Sequence, residues 1–290
     1  MLLQQILNGL LGSGIYALYA VGFTVIFGIM GVLNMAHADV GMAAAMAVVW
    51  AVMMGLGPIE AVALSLAVTA LIAVVIERCA IRPAQRFKSD AAIEMPLIAT
   101  IGIGMILENL AALLLGNRGL PFPFQRSAFL NIGGFLLSEG LLISAGIAFV
   151  LLLALELLVT RTGFGRQVRA VAQNRNAARI MGIDPEFTVL ITVILTSGLA
   201  GIAGCLAGVS YGFVAPYMGI PYAIKGLVAM IAGGIGSLRG AVLGAMLIGV
   251  VEAVAVTYFG SQSRDVWVFV ILMIVLALKP TGLVKAQGVA

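Results

Sequence analysis

Long stretches without a single charged side chain are the feature that most limits how this chain folds. No Asp, Glu, Lys or Arg occurs in Met1–Ala38, Val40–Ile59, Ala61–Ile76 or Phe187–Ile224. A helix needs about 20 apolar residues to cross the hydrocarbon region of a bilayer. Uncharged stretches of roughly this length therefore predict helices that span a membrane.

The composition supports this prediction, because 62% of the residues are hydrophobic and only 10% are charged. A typical soluble domain carries about 25% charged residues. Lipid offers no partners to backbone groups, and the alternating pattern of a membrane barrel is absent, so the spans are predicted to be helices. We expect an all-α, polytopic transmembrane helix bundle of eight or nine spans, forming one domain over residues 1–290. The predicted spans are Ile6–Leu33, Val40–Gly57, Ile59–Ile76, Pro96–Gly116, Leu136–Val159, Phe187–Tyr211, Gly226–Ile235, Gly240–Phe259 and Val266–Leu278.

Lys and Arg residues gather in two loops, Glu77–Met95 and Thr160–Glu186, and after the last span. With nine crossings these three segments lie on one side, and an excess of basic residues marks the cytoplasm. We therefore expect the N-terminus outside and the C-terminus in the cytoplasm, with the first apolar stretch retained as a helix. The basic residues concerned are Arg78, Arg82, Arg86, Lys88, Arg161, Arg166, Arg169, Arg175, Arg179, Lys279 and Lys285.

Motifs of catalysis and cofactor binding are absent from the sequence. It has no phosphate-binding loop, no zinc-protease motif and no cysteine cluster, and it contains a single His. We expect no enzyme activity, no metal and no cofactor bound by this chain. The net charge of +4 comes from the basic loops, so lipid rather than nucleic acid is the expected partner.

Two glycine-rich segments, Gly31–Gly41 and Gly233–Gly240, interrupt the apolar pattern. Transporters place substrate sites where helices break, because half-helix N-termini offer unpaired N–H groups and a positive dipole end. The alternative is that both segments are tight cytoplasmic turns, with an Asp that caps the next helix. The residues predicted for the transport path are Asn34, His37, Asp39, Gly41, Gly234 and Gly236.

Acidic residues within the predicted spans are few. Glu156 is interpreted as a helix-end residue near Arg161, since long charged side chains extend toward the interface. Glu108 is either a polar contact inside the bundle or part of the transport path. A proton-driven carrier would contain more buried acids and bases than this chain does.

The loop at residues 160–186 predicts a short helix from Arg166 to Met181 with one polar face. Gly182 is a natural end for it, and Asp184 and Pro185 provide the cap and first residue of the next span. Such a helix on the cytoplasmic side is typical of a docking element for a partner protein. Passive binding to anionic headgroups is the alternative.

Within that loop, Asn176-Ala-Ala-Arg-Ile-Met-Gly182 resembles the E-A-A-x-x-x-G coupling motif of ABC importer permeases, with Asn in place of Glu. The whole chain is similar to the permeases of high-affinity branched-chain amino acid ABC importers, the H-type subunits of the liv system. One departure is Ala38, where that family usually has Gly. Other matching stretches are Asn8–Leu18, Leu33–Asp39, Ile76–Pro83, Leu97–Gly102, Tyr211–Gly219, Gly233–Ala241 and Pro280–Leu283.

The resemblance implies a permease subunit in a bacterial inner membrane that moves branched-chain or other hydrophobic amino acids. Its expected partners are a second homologous permease, two ATP-binding cassette subunits that use the ATP, and a periplasmic or extracellular substrate-binding protein. A urea, short-amide or sugar importer of the same superfamily is the nearest alternative, and a self-sufficient channel or ion-coupled carrier is a more distant one. The residues implied in coupling to the ATPase are Arg175, Asn176, Ala177, Ala178 and Gly182.

An amino acid also needs a partner for its carboxylate, and the predicted spans contain almost no Lys or Arg. Backbone N–H groups at the helix breaks are the available donors. We therefore expect Asn34–Gly41 and Gly233–Gly240 to face a shared central cavity lined otherwise by small apolar side chains. Such a cavity would hold substrate weakly and leave selectivity to the binding protein.

Overall fold

The computed structural model describes residues 2–84, 91–126 and 128–284 and shows a helical bundle. Within these ranges, seven helices are long and apolar enough to cross a membrane, and two further apolar helices, α2 and α10, are shorter. The predicted polytopic bundle is confirmed. The helices are α1 (Leu2–Met30), α2 (His37–Met53), α3 (Pro58–Ile76), α4 (Arg82–Ala84), α5 (Ala91–Leu115), α6 (Glu139–Arg161), α7 (Gly163–Gln173), α8 (Arg175–Ile180), α9 (Pro185–Tyr211), α10 (Gly219–Gly233), α11 (Leu238–Phe259) and α12 (Arg264–Leu278).

Short elements complete the described chain. A π-helical turn at Glu77–Ile81 joins α3 to α4, and a 3₁₀ turn at Ser261–Ser263 precedes α12. Strand β1 (Leu120–Pro121) pairs antiparallel with β4 (Phe213–Val214), and β2 (Phe129–Ile132) pairs with β3 (Phe135–Ser138). Arg86, Lys88 and Lys285, predicted to belong to the basic loops, lie outside the described residues.

Helices α1 and α9 form the centre of the bundle, since most of their residues are buried. Helix α1 packs against α6, α9, α10 and α11, whereas α12 lies at the periphery and exposes most of its surface. Large apolar side chains cover the outside of the bundle, among them Ile98 and Leu113 of α5. An apolar exterior is the surface that lipid or another membrane subunit covers.

The first glycine-rich segment lies inside the bundle. Helix α1 ends at Met30, and the chain turns back so that the His37 ring, at the start of α2, packs against Gly22 of α1. Gly22 precedes Gly31 by nine residues, which is about 13 Å of helix. Helix α2 therefore begins well away from the end of α1.

Helix α10 begins at Gly219, seven residues before the predicted start of the span at Gly226. The predicted span begins directly after the charged Lys225. In the structure Lys225 lies inside α10, is 4% exposed and forms ion pairs with neighbouring helices. These ion pairs make the charge compatible with the bundle interior.

Glycines allow the central helices to approach one another closely. A methyl group at Gly204 of α9 would overlap the backbone of Gly41 in α2, and one at Gly9 of α1 would overlap the backbone of Gly249 in α11. Small residues at membrane helix contacts permit dispersion contacts between backbones, which take the place of the hydrophobic driving force.

We predict that Gly204→Ala destabilises the protein by about 1–3 kcal/mol, because the added methyl group would force α2 and α9 apart. The measurement is the thermal unfolding midpoint of the purified protein in detergent. Gly198→Ala, on the same helix with open space around the new methyl group, is the control and should keep or raise the midpoint. Equal midpoints for the two variants would contradict the close contact of α2 with α9.

Candidate functional site

The Asp39 carboxylate occupies the space where three helices meet. Asp39 lies in the first turn of α2. Its Oδ2 packs on Gly104 of α5 and its Oδ1 packs on Gly219, the first residue of α10, and a methyl group at either glycine would overlap it. The N-termini of α2 and α10 therefore converge on this carboxylate, and helix N-termini stabilise negative charge.

The alternative that Asp39 serves as a helix cap is not what the structure shows. The residue at the cap position of α2 is Ala36, and no side-chain cap hydrogen bond is formed there. The Oδ1 atom of Asp39 is buried and has no hydrogen-bond partner among the described residues. This carboxylate oxygen remains free to accept a hydrogen bond from a ligand or from water.

Asn34 and His37 belong to the same helix break as Asp39, and the His37 N–H donates to the Asn34 carbonyl at 3.2 Å. Both side chains are buried, and neither the Asn34 amide nor the His37 ring nitrogens have a hydrogen-bond partner in the described chain. The His37 ring packs on the rings of Phe23 and Tyr19, with centroids 4.9 and 6.1 Å away. Buried polar groups without partners are rare in proteins. These unpaired groups are the candidate partners for a polar ligand or water.

Glu108 joins this group from α5. It follows Gly104 by four residues and therefore lies on the same helix face, and it interacts electrostatically with Asp39. Its Oε1 is buried and unpaired in the described structure. The structure thus brings Asp39 and Glu108 together. With Asn34 and His37, from the break that precedes and starts α2, they are hereafter called the central site.

Gly41 lies half a turn beyond Asp39 on α2. Its backbone contacts α9 at Gly204, and a side chain at this position would overlap the Tyr19 hydroxyl group. Gly41 therefore sets how closely α2 approaches α1 and α9, and so supports the central site from one side.

Gly234 and Gly236 lie at the other end of α10. The turn they form has positive φ angles and packs against the segment after α12, where the N–H groups of Leu283 and Val284 donate to the carbonyls of Ala232 and Gly233. From Gly219 to Gly234 is about 22 Å of helix. The structure does not bring Gly234 and Gly236 beside Asp39. It is the start of α10, at Gly219, that meets the first break.

A buried ion cluster was missed by the sequence analysis. Glu252 Oε1 on α11 lies 2.9 Å from Lys225 Nζ and 2.9 Å from Arg264 Nε, and Lys225 Nζ also donates to the Tyr16 hydroxyl at 3.4 Å. The sequence did contain a signal for this cluster, because Lys225 and Glu252 are isolated charges in successive apolar stretches. The Tyr222 ring lies between this cluster and the central site, 6.1 Å from the Tyr16 ring and stacked on Tyr19.

The segment at residues 160–186 contains two helices where the sequence predicted one. The side chain of Asn174 accepts hydrogen bonds from the N–H groups of Asn176 and Ala177, both at 3.0 Å, and so ends α7 and caps α8. Asn176 and Ala177 are exposed, Ala178 is buried and Arg175 is partly buried.

The end of α8 is shaped by a glycine and a cap. Gly182 has φ +82°, a left-handed conformation that other residues rarely adopt. The Phe187 N–H donates to Asp184 at the start of α9 and holds the pKa of that carboxyl below its usual value. At the end of α8, Ile180 and Met181 are 87% and 80% exposed. Two large apolar side chains thus project from the loop.

Residues 5–278 match the family described as the permease component of branched-chain amino acid transport systems. The chain belongs to this permease family. It is 34% identical to the high-affinity branched-chain amino acid transport system permease protein BraD of Pseudomonas aeruginosa, over 97% of this chain and 95% of that protein. It is 32% identical to the permease protein LivH of Escherichia coli, over 97% of this chain and 94% of LivH. The resemblance drawn from the sequence motifs is confirmed.

Among solved structures, this permease is similar to PsaBC from Streptococcus pneumoniae in complex with Fab. The TM-score is 0.50 at 17% sequence identity, over 94% of this chain and 91% of that chain. At this identity the likeness concerns the fold alone.

We predict that Gly104→Ala destabilises the permease by about 1–3 kcal/mol, because the new methyl group would overlap an Asp39 carboxylate already confined by Gly219. In an Asp39→Ala background the same change should be neutral, since the carboxylate is gone. Thermal unfolding midpoints of the two single variants and the double variant measure this coupling. Gly102→Ala, with open space on the same helix, is the control. Additive effects of the two substitutions would contradict the placement of Asp39.

Proposed function

We propose that this chain is the membrane-spanning permease subunit of an ATP-driven ABC importer for branched-chain or other hydrophobic amino acids. The observation that carries the proposal is the family match over residues 5–278, which leaves no large part of the chain unaccounted for. The exposed loop at residues 160–186 supports it, because such a loop provides a place for an ATPase to act.

The working assembly we propose pairs this chain with a second homologous permease. Two ATP-binding cassette subunits dock on this pair of permeases, and α7 and α8 form the docking surface of this chain. A periplasmic or extracellular binding protein delivers the substrate. ATP is hydrolysed by the partner subunits, and this chain binds no cofactor and no nucleic acid. The exposed Ile180 and Met181 support the docking surface, since an apolar patch at the edge of a loop is typical of a protein contact.

The orientation we propose places α7 and α8 in the cytoplasm of a bacterium whose inner membrane holds the bundle. Basic residues support it, because the described members of the basic segments lie where α3, α6 and α12 end. The N-terminus is then outside, the C-terminus is cytoplasmic, and the chain forms one domain with the coupling loop within it.

Movement of the coupling residues can be transmitted to the central site through α9 and α2. Gly182 and the Asp184 cap join α8 to α9, and α9 contacts α2 at Gly41 through Gly204. A tilt of α9 would therefore shift the N-terminal end of α2, which carries Asp39. Gly234 and Gly236, at the turn between α10 and α11, would allow the far end of α10 to follow.

The chemistry of the central site suits weak recognition of a zwitterion. The carboxyl oxygens of Asp39 and Glu108 can accept hydrogen bonds from an ammonium group. Backbone N–H groups at the starts of α2 and α10 can donate to a carboxylate. The apolar side chain of the substrate would contact Phe23 and the other rings around His37.

The direct test is uptake by proteoliposomes that contain this permease, its ATPases and its binding protein. ATP-dependent uptake of labelled leucine is expected. Uptake of urea, a short amide or a sugar in place of leucine would identify a different importer of the superfamily. Leucine uptake without any ATPase would identify a channel or an ion-coupled carrier.

We predict that Asp39→Ala lowers leucine uptake per inserted molecule by on the order of tenfold, about 1.4 kcal/mol, because it removes an acceptor of the central site. Glu156→Gln is the matched control. Glu156 pairs with Arg239 at 2.7 Å and is 32% exposed on the side of the bundle, so uptake should stay near the parent level. Equal, mild losses in both variants would remove Asp39 from the transport path.

We predict that Gly182→Val separates ATP hydrolysis from transport. Valine at a left-handed φ is strained by about 1–3 kcal/mol, so the end of α8 would lose its present shape while the spans stay intact. ATPase activity of the assembled complex should continue and leucine uptake should fall. The control is Gly146→Val on the outer surface of α6, where a side chain meets open space. Normal uptake in Gly182→Val would contradict the coupling role of this turn.

A further inference from the structure

A polar cavity lies where α1 begins and α11 ends. Its volume is about 170 Å³. Helices α1, α6, α9, α11 and α12 line it, and we call it the outer cavity. The polar side chains that line it are Gln5, Asn8, Tyr16, Tyr211, Glu252 and Arg264.

Two buried oxygens of the outer cavity lack hydrogen-bond partners. Glu252 is 6% exposed, and its Oε2 accepts no hydrogen bond within the described structure. The Oδ1 of Asn8 is buried and unpaired as well. A buried acceptor left unsatisfied costs about 1–3 kcal/mol. A ligand that donates hydrogen bonds would relieve this cost at two neighbouring points.

The neighbouring cations leave Glu252 Oε2 available. Lys225 Nζ and Arg264 Nε both approach the other oxygen, Oε1, at 2.9 Å. Asp265 lies 3.9 Å from Lys225 Nζ, so two cations and two carboxylates balance in this cluster. Arg264 Nε forms no hydrogen bond in the described structure but is paired with Oε1 as an ion. The two unpaired oxygens are acceptors, and a primary ammonium, with three donors and no acceptor, complements them.

The size and walls of the cavity also suit such a group. An engineered apolar cavity of about 150 Å³ binds benzene, so the outer cavity has room for a small organic molecule. Gly9, Gly12 and Gly249 are among its lining residues, together with the aromatic side chains of Tyr16 and Tyr211.

We propose that the outer cavity is an access site that binds the ammonium group of the amino-acid substrate through Glu252 and Asn8. This inference rests on the proposed function, which supplies the amino acid. From the cavity, the rings of Tyr16, Tyr222 and Tyr19 lead to the central site at Asp39. The substrate would exchange one carboxylate partner for another along this line.

Protection from thiol labelling tests the site without disturbing its ligands. Gln5→Cys is introduced in a Cys79→Ser, Cys205→Ser background and labelled with a membrane-impermeant reagent in the assembled complex. Leucine and 3-methylbutylamine, which share the ammonium group, should slow labelling roughly tenfold at about ten times their Kd. The acid 4-methylpentanoate, which lacks it, should not. Leu3→Cys, exposed on the same helix, should label equally under all conditions.

Glu252→Gln should abolish protection by the amine. Protection by 4-methylpentanoate as strong as that by the amine would overturn the proposal. A result in which none of the three compounds slows labelling would overturn it too. If Glu252→Gln fails to fold, the comparison of amine with acid in the parent still decides. Leucine uptake by the same vesicles distinguishes a failure of the access-site proposal from a failure of the proposed function. Uptake without protection overturns only the access site, and protection by the amine without uptake overturns only the proposed function.

Discussion

The convergence of α2 and α10 inside the bundle is the constraint on which the rest of this structure depends. Both helices begin with backbone N–H groups that have no intrahelical partner, and the bilayer interior offers no water to satisfy them. The surroundings must therefore be polar. This requirement accounts for the buried Asn34, Asp39 and Glu108, and for the hydrogen bond from the Met35 N–H to the Thr100 hydroxyl at 3.0 Å.

Close glycine contacts hold this polar interior in place. The backbones of α2 and α9 meet at Gly41 and Gly204, and those of α1 and α11 meet at Gly9 and Gly249. Contacts between backbones deform less than contacts between long side chains, so a movement of one helix is passed to the next. The glycine content that first indicated a membrane protein thus also defines how the helices are coupled.

Two polar groups of different character occupy the core. The central site has the Asp39 carboxyl at the N-termini of α2 and α10, and the outer cluster has Glu252 paired with Lys225 and Arg264. Pairing keeps these charges in the bundle, since a buried ion without a partner is strongly destabilising. Tyrosine rings between the two groups provide hydroxyls and aromatic faces, so a polar substrate would not have to cross a purely apolar barrier.

The sequence by itself determined the membrane location, the helical class, the approximate spans and the first break, because uncharged length and local glycine patterns are one-dimensional signals. It also identified the loop at residues 160–186, but it did not predict that this loop contains two helices. The first helix ends at Asn174, because its side chain accepts hydrogen bonds from two N–H groups at the start of α8. Only the tertiary structure decided that Asp39 meets Gly219 and that Glu252 meets Lys225. Such contacts join residues far apart in the chain, and their geometry depends on how whole helices pack. Packing also decided that Lys225 is an interior residue, because the carboxylate that makes its burial possible belongs to another helix.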